Sequence, residues 1–338
     1  MPTIHEVDAQ DERWHRFCAS HPALTLFQSP AWSNVIARTY GFSARVLLML
    51  ENEDVVGGLP FAHIEDFRGR RRVALAFADN LEPLPVDTWE QFEAWIANDD
   101  VPWAIRTLCT PTERAQTQRV AASHHAIDLP DRFETAAERF HYKHVQNLKQ
   151  AEKAGLRHRR LATSEGIDAF YSLHSSVRKN KHRLLPQPRA FFDAIFEEFF
   201  PERGFVMLAE QGDTIVSAML FIACGRRLYY KFSASALDAL LSRPNHFLIT
   251  KAIEVAIGDG YNQLDLGISD AEGLIRFKER IGGVERSVYA ASYNQREKSA
   301  GVTQIERALG ELTEILTDAN LPLTAAQRGG EILYRFFT

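Results

Sequence analysis

"VLLMLENEDVVGGLPF" (46–61) and "VMLAEQGDTIVSAMLF" (206–221) stand 160 residues apart and read alike. Each is an apolar run, a polar turn and a second apolar run, which predicts a β-hairpin. Asn52/Glu53 make one turn and Gly212/Asp213 the other. The likeness extends outward on both sides. Before the first hairpin, Ser29 as N-cap, Pro30 at the first helical position and a face of Trp32, Val35, Ile36 and Tyr40 predict a helix. Phe191, Phe192, Ile195, Phe196 and Phe199 do the same before the second. A basic turn and a strand follow each hairpin, "GRRRVALAF" (69–77) and "GRRLYYKF" (225–232). A helix comes next, the first with Asp87 and Glu90 spaced as a capping box, the second carrying Phe247, Leu248, Ala252, Val255 and Ala256. Each series ends in a strand, "WAIRTL" (103–108) and "NQLDLG" (262–267). The order helix, strand, strand, strand, helix, strand therefore occurs twice, and predicts duplicated α+β units.

The 338 residues suffice for two such units, each with its own core, and 45% apolar with 25% charged residues is a globular balance. No run of about 18 apolar residues is present, so no transmembrane segment is expected. "MPTIHEVDAQDERWHRF" has neither a basic start nor an apolar stretch behind it, and the expected location is cytoplasmic. Cys18, Cys109 and Cys224 are scattered and form no C-x-x-C, which fits reduced, packed thiols. His141 and His144 are spaced for zinc but lack further ligands, so no metal is expected.

Charge is uneven. Arg139–Arg189 holds twelve basic and three acidic residues, +9, leaving −14 for the rest of a chain whose net charge is −5. Such a band predicts an anionic small molecule or precursor as ligand. Its few aromatics give no stacking platform, so DNA or sequence-specific nucleic-acid reading is not expected. Within it, "DRFETAAERFHYKHVQNLKQAEKAG" (131–155) reads as one long helix, with Phe133, Ala137, Phe140, His144, Leu148 and Ala151 inward and Lys143, Asn147, Lys149 and Lys153 on other faces. The expected domains are a first unit at 1–130, a basic linker helix at 131–160, a second unit at 161–300 and a helical tail at 301–338 packed on the body. The tail's helical spacing is Ile305, Ala308, Leu309, Leu312 and Leu316. "QRGGEILYRFF", at its end, leaves peripheral membrane contact open.

"DLGISDAEGLIRFKERIGG" (265–283) predicts a strand end at Gly267, a capping box of Ser269 and Glu272, and a short helix. Leu274, Phe277 and Ile281 would face inward and Gly282 would end the helix, leaving Arg276, Lys278 and Arg280 beside the stripe.

The ordered set of these elements resembles the GNAT acyltransferase fold, and two units joined by a basic helix resemble the Fem family of aminoacyl and peptidyl transferases. The stretches carrying the resemblance are "FQSPAWSNVIARTYG", "VVGGLPF", "FADNLEPL", "KHVQNLKQAEKAGL", "FYSLHSSVRKNKHRLLPQP" and "GYNQLDLGISDAEGLIRFKERIGG". The resemblance implies an α+β, tandem GNAT-like fold with mixed sheets flanked by helices. It also implies transfer of an activated acyl or aminoacyl group to a primary amine, as in cell-envelope precursors.

By the same resemblance Asp265, Gly267, Phe277 and Lys278 border the transfer site. Lys278 is expected to stabilise the oxyanion or the donor's leaving end, so that its loss cuts turnover with little change in melting temperature. Tyr230 is a candidate proton donor to the leaving group. Asp79 and His174 are candidates to orient or deprotonate the amine, though His174 also shares a face with Phe170 and Val177, as a core histidine would. Arg178, Lys179, Lys181, Arg243, Lys231, Lys143 and Asn147 are candidates for substrate or phosphate binding.

The chain departs from the GNAT pattern at "SRPNHFL" (242–248), where a glycine-rich pyrophosphate loop would stand. No tightly bound cofactor is expected. The donor, as co-substrate, is aminoacyl-tRNA or acyl-CoA, and tRNA is then a partner. The rival readings are acyl-CoA-dependent N-acetylation in exopolysaccharide modification, a non-catalytic binder of anionic envelope lipid or glycan, and an RNA-binding module.

Overall fold

A computed structural model describes residues 2–74 and 76–338; Leu75, within the expected strand 69–77, lies outside the described residues. The chain begins with β1 (Thr3–Asp8), α1 (Glu12–Ser20), α2 (Pro30–Tyr40), β2 (Ser43–Glu51), β3 (Asp54–Asp66) and β4 (Gly69–Val73). It continues through α3 (Trp89–Ala97), β5 (Trp103–Thr107), β6 (Thr117–Asp128), α4 (Phe133–Ala137), α5 (Tyr142–Lys153), β7 (Arg157–Leu161) and α6 (Ser164–Asn180). Then follow α7 (Arg189–Phe199), β8 (Gly204–Gln211), β9 (Thr214–Cys224), β10 (Arg227–Ser235), α8 (Pro244–Gly258) and β11 (Gln263–Ser269). The last elements are α9 (Glu272–Arg280), β12 (Val284–Tyr293), α10 (Ala300–Leu316) and α11 (Leu323–Leu333).

Both hairpins form, and they share a defect. The β2/β3 register slips between Met49 and Leu50, and the β8/β9 register slips between Ala209 and Glu210, 160 residues later. A bulge bends a strand and re-aims its side chains, so a bulge kept at one offset fits a duplicated unit. The turns also correspond. Asn52 and Glu53 have φ of 50° and 69°, and Gly212, at the position of Asn52, has φ of 62°. β5 and β11 begin at Trp103 and Gln263, again 160 apart.

Two compact units result. The first comprises residues up to Ser123, Arg286–Leu309 and Arg335–Thr338; the second comprises His124–Glu285 and Gly310–Tyr334. The basic segment 131–160 falls inside the second unit, and residues 286–300 inside the first. In the first unit the strand order is β1, β2, β3, β4, β5, β12 and the leading part of β6. β4 and β5 are parallel, and β12 closes on β5 antiparallel, from Tyr289↔Thr107 to Tyr293↔Trp103. In the second unit the order is the trailing part of β6, β11, β10, β9, β8, β7, with β10 and β11 parallel. Mixed sheets of this kind, flanked by helices, are the α+β tandem GNAT-like architecture expected from the sequence.

Packing explains the quoted motifs. Ser29 Oγ accepts the Trp32 N–H at 3.2 Å, Pro30 opens α2, and Gly41 ends it with φ of 68°. In "VVGGLPF", a Cβ on Gly58 would stand 2.3 Å from the Trp14 ring, so the strand must lack a side chain for α1 to seat that tryptophan. The second core gathers Phe205, Met207, Met219 and Phe221 from the hairpin with Leu248, Ala252, Ile253 and Ala256 from α8.

Several local expectations change. The helix expected over 131–155 is two, because His141 turns out of the helical range to cap α5, its ring accepting the Lys143 N–H at 3.2 Å. Neither expected capping box forms: α3 starts after Thr88 and α9 after Ala271, both without a side-chain cap. Ser269 ends β11, and its buried Oγ has no hydrogen-bond partner among the described residues. Leu274 is exposed, so the inward stripe of α9 is Phe277, Lys278 and Ile281. The tail is two helices, and Ile305 and Leu312 of α10 remain exposed. The closing "YRFF" is tied down: the Arg68 guanidinium donates to the Phe336 carbonyl at 2.8 Å, and Arg335 lies over the Phe42 ring.

Candidate active site

In the second unit β10 and β11 pair only from Arg227↔Gln263 to Tyr229↔Asp265. Beyond that point both strands continue without partnering each other, and β10 is bulged between Tyr230 and Phe232. Two parallel strands that part midway leave backbone N–H and C=O groups facing a gap, and a gap of that kind suits an extended acyl donor. The parting coincides with Gly267, whose φ of 67° is left-handed and favours glycine.

Asp265 stands at the fork. Its Oδ1 accepts the Gly267 N–H at 2.8 Å, and its Oδ2 lies 3.0 Å from Nε2 of His124 on β6. Burial pushes this carboxyl up, but the His124 hydrogen bond and charge, the Gly267 N–H and the nearby Arg227 outweigh it and hold Asp265 below the ordinary range. A negative Asp265 accepts a proton carried on His124 Nε2, which leaves Nδ1 as the ring's other polar atom. That Nδ1 is buried and has no hydrogen-bond partner among the described residues.

Lys278 closes the same corner. Only 2% exposed, its ammonium donates to the carbonyls of Gly267 at 2.9 Å and Ile268 at 3.0 Å. Its position in α9 aims it inward, where the hydrogen bonds compensate for the loss of water. The adjacent Phe277 sets its edge on the His246 ring at 5.1 Å.

His246 belongs to the first turn of α8, where a GNAT pyrophosphate loop would end. Arg243 precedes it with φ of 55°, and Pro244 takes the first helical position. A directed chain of hydrogen bonds ties this turn to α5. The Asn147 amide donates to His246 Nε2 at 3.1 Å, so the His246 proton is on Nδ1 and is donated to His144 Nδ1 at 2.8 Å. His144 Nε2 donates to Thr250 Oγ1 at 2.9 Å, and Thr250 donates to the His246 carbonyl at 2.8 Å. Burial, then the charge of His246, pushes His144 down to about 3; burial, then Arg243 and Arg280, pushes His246 down to about 4. Both rings are neutral near pH 7.

Of the candidates read from sequence, Asp265, Phe277, Lys278, Asn147 and Arg243 thus gather in the second unit around β11, α9 and the start of α8. The others do not join them. His174 is a core residue, stacked on Phe170 and hydrogen-bonded to Gln187 at 2.8 Å, and burial pushes it down to about 3. Tyr230 packs on Phe221, its hydroxyl pushed up to about 12 by burial. Lys231 leans over the Phe232 ring. Asp79 is half-buried in the first unit, in the loop after β4.

The basic band is dispersed by its partners. Lys179 is buried with its ammonium on the Asp318 carbonyl at 2.7 Å, and Arg178 donates to the Leu185 carbonyl. Arg159 pairs with Glu210 and Glu165, Arg160 with Asp259, and Arg189 with Asp168 and Asp193. Lys181 is exposed at the end of α6, and Lys143 is exposed on α5 beside Tyr142.

His124 and His246 were not singled out in the sequence. Their partners are 141 and 102 residues away, so no local spacing signals them. His125, Glu279 and Glu285 also come together, with donor atoms within 4.8 Å of one another, the one metal-like group among the described residues.

Residues 138–279 match the acetyltransferase (GNAT) domain family. No curated protein matches the chain in sequence. Among solved structures the chain is similar to FemX, at a TM-score of 0.61 and 13% identity over 86% of this chain and 98% of that one. It is similar to the C-terminal domain of a putative lysylphosphatidylglycerol synthetase from Agrobacterium fabrum, at 0.54 and 13% over 89% and 96%. It is likewise similar to L-PGS from Bacillus licheniformis, at 0.52 and 12% over 88% and 96%. Residues 138–279 thus match the acetyltransferase (GNAT) domain family, and over most of its length the chain shares the fold of FemX.

Proposed function

We propose that the protein transfers an acyl or aminoacyl group from an activated donor to a primary amine on a cell-envelope precursor. The observation that carries this reading is the fork between β10 and β11, lined by Asp265 and closed by Lys278. An extended donor can pair with the freed strand edge there, its carbonyl held beside oriented backbone donors. Amine attack then forms a tetrahedral oxyanion; collapse breaks the acyl C–O or C–S bond, and the proton lost by the amine passes to the departing ribose hydroxyl or thiol.

Aminoacyl-tRNA is the preferred donor. The first turn of α8 presents Pro244, which has no N–H, where a pyrophosphate cradle needs several, and no glycine precedes it. The likeness in fold to FemX and to L-PGS supports the same direction. The family match over residues 138–279 favours acyl-CoA as the second reading. The cytoplasm, where both donors are made, is the proposed compartment.

The deciding assay offers radiolabelled aminoacyl-tRNA and acyl-CoA separately, with soluble amine-bearing precursors, and reads label in the product by mass. Amide formation from charged tRNA supports the reading. Turnover of acyl-CoA alone replaces the donor, and no transfer from either overturns it.

A further inference from the structure

The loop between β10 and α8 carries Leu237, Leu240 and Leu241 on the outside of the second unit, with Leu241 76% exposed. That exposure is built into the turn. Ala239 and Ser242 face inward and are buried, and the Ser242 and Arg243 N–H groups donate to the carbonyls of Ala239 and Leu240. The Ser242 hydroxyl adds a second bond to the Ala239 carbonyl at 2.7 Å. A closed turn therefore holds leucines toward solvent, where each exposes apolar surface that water disfavours.

Beside the loop runs α5. Its Gln150 amide donates to the Leu241 carbonyl at 2.8 Å, and Arg243 reaches back to the Gln150 oxygen at 3.3 Å. The α5 surface next to Gln150 is cationic. Lys143 and Lys153 lie on the Gln150 side of the helix, Lys149 flanks it, and all three are exposed. Tyr142, 60% exposed, opens the helix. Glu152 and Asp238 are the acidic residues of these two segments, against three lysines and Arg243.

An exposed apolar knuckle rimmed by lysines, with an amphipathic aromatic at its edge, matches one surface in chemistry: the headgroup layer of an anionic bilayer. The leucines would enter the acyl boundary while the lysines meet phosphates. We propose that this face of the second unit, the 237–243 loop with α5, docks the protein on anionic lipid membrane. The docking is a property separate from the transfer reaction, though Arg243 and α5 also border the candidate site.

Co-sedimentation tests it, with vesicles of phosphatidylcholine alone and of phosphatidylcholine and phosphatidylglycerol in equal parts. The protein should pellet with the anionic vesicles and not with the neutral ones, and added salt should release it. Leu241→Asp should weaken the partition about tenfold, since a leucine's burial is lost. Lys149→Glu with Lys153→Glu should do so by about tenfold or more. All three positions are exposed, so melting temperatures should hold. Equal binding to both vesicles, no binding to either, or unchanged binding in either variant overturns the proposal. So does a lysine variant that loses tRNA retention while vesicle binding is intact, which would assign the surface to nucleic acid.

Discussion

The ammonium of Lys278 and the carbonyl oxygen of Gly267 stand 2.9 Å apart, inside the protein, at the point where two parallel strands separate. A lysine so buried, with its amine on two carbonyls, holds the strand end in place. The expectation that its loss leaves stability untouched therefore changes. Lys278→Met strands the carbonyls of Gly267 and Ile268 and should cost about 2–3 kcal/mol of unfolding free energy along with turnover. Urea denaturation checks it, and an unchanged midpoint would separate the lysine from the strand.

His124 and Asp265 form a pair whose members fail differently when separated. His124→Phe leaves a buried carboxylate without its main partner and should cost about 3–5 kcal/mol. Asp265→Asn keeps the shape and removes the charge. Because the native carboxyl is held below its ordinary value, its contribution is complete above about pH 4 and is lost as pH falls through the native value. Acid unfolding of the Asn variant should therefore start from lower stability and show a shallower slope below pH 4.

Three imidazoles give the opposite end of the acid range its own signature. His144, His174 and His246 are neutral in the folded protein, at about 3, 3 and 4, against 6.5 in an open chain. Only the unfolded chain takes up protons just below pH 6.5, so their contribution is full above 6.5 and lost as pH falls toward 4. At pH 5 the buried His144 and His174 should each cost up to about 2 kcal/mol. Thermal melts at pH 7 and pH 5 should show the drop, and His174→Phe should reduce it. An identical drop in that variant would mean that His174 does not contribute.

What the sequence disclosed, and what it withheld, follows from range. Turn chemistry and hairpin pattern act over a few residues, so Asn52, Gly212 and the two apolar runs announced both hairpins, and Ser29–Pro30 announced a helix start. Asp265, Phe277 and Lys278 were legible because they share one short stretch. The direction of Lys278 was not, since a lysine in a helix reads as solvent-facing until a strand end whose carbonyls can receive it is laid against it. His124 could not be read at all: a histidine in a strand gains meaning only from a carboxylate 141 residues away. Part of the basic band was illegible for the same reason, because charge counted along the chain ignores the Asp318 carbonyl and the Glu210 and Asp259 carboxylates that fold against Lys179, Arg159 and Arg160.

The steric argument for "VVGG" has a direct check. A methyl group on Gly58 would meet the Trp14 ring at 2.3 Å, in a core where Trp14, Val46, Leu48 and Leu84 leave it no retreat. Gly58→Ala should destabilise the first unit by about 2–3 kcal/mol. Gly41→Ala meets no atom within 4 Å and should cost less, through its left-handed φ alone. If the two variants melt together, the tryptophan contact is not what fixes the glycine.

Lys179 and Lys181 sit two residues apart in the band once expected to bind an anion, yet their surroundings differ. Lys179 is buried on the Asp318 carbonyl beyond the end of α10, while Lys181 faces solvent. Lys179→Met should therefore lower the melting temperature, because it removes the stronger of two donors on the Asp318 carbonyl and leaves it the Leu321 N–H at 3.2 Å. It should leave the salt dependence of donor binding as it was. Lys181→Glu should do the reverse, with stability unchanged within about 0.5 kcal/mol and any effect confined to binding. Filter binding of charged tRNA across a salt series, beside thermal melts of both variants, tells them apart. A Lys179 variant that melts normally but flattens the salt slope would return that lysine to the ligand site.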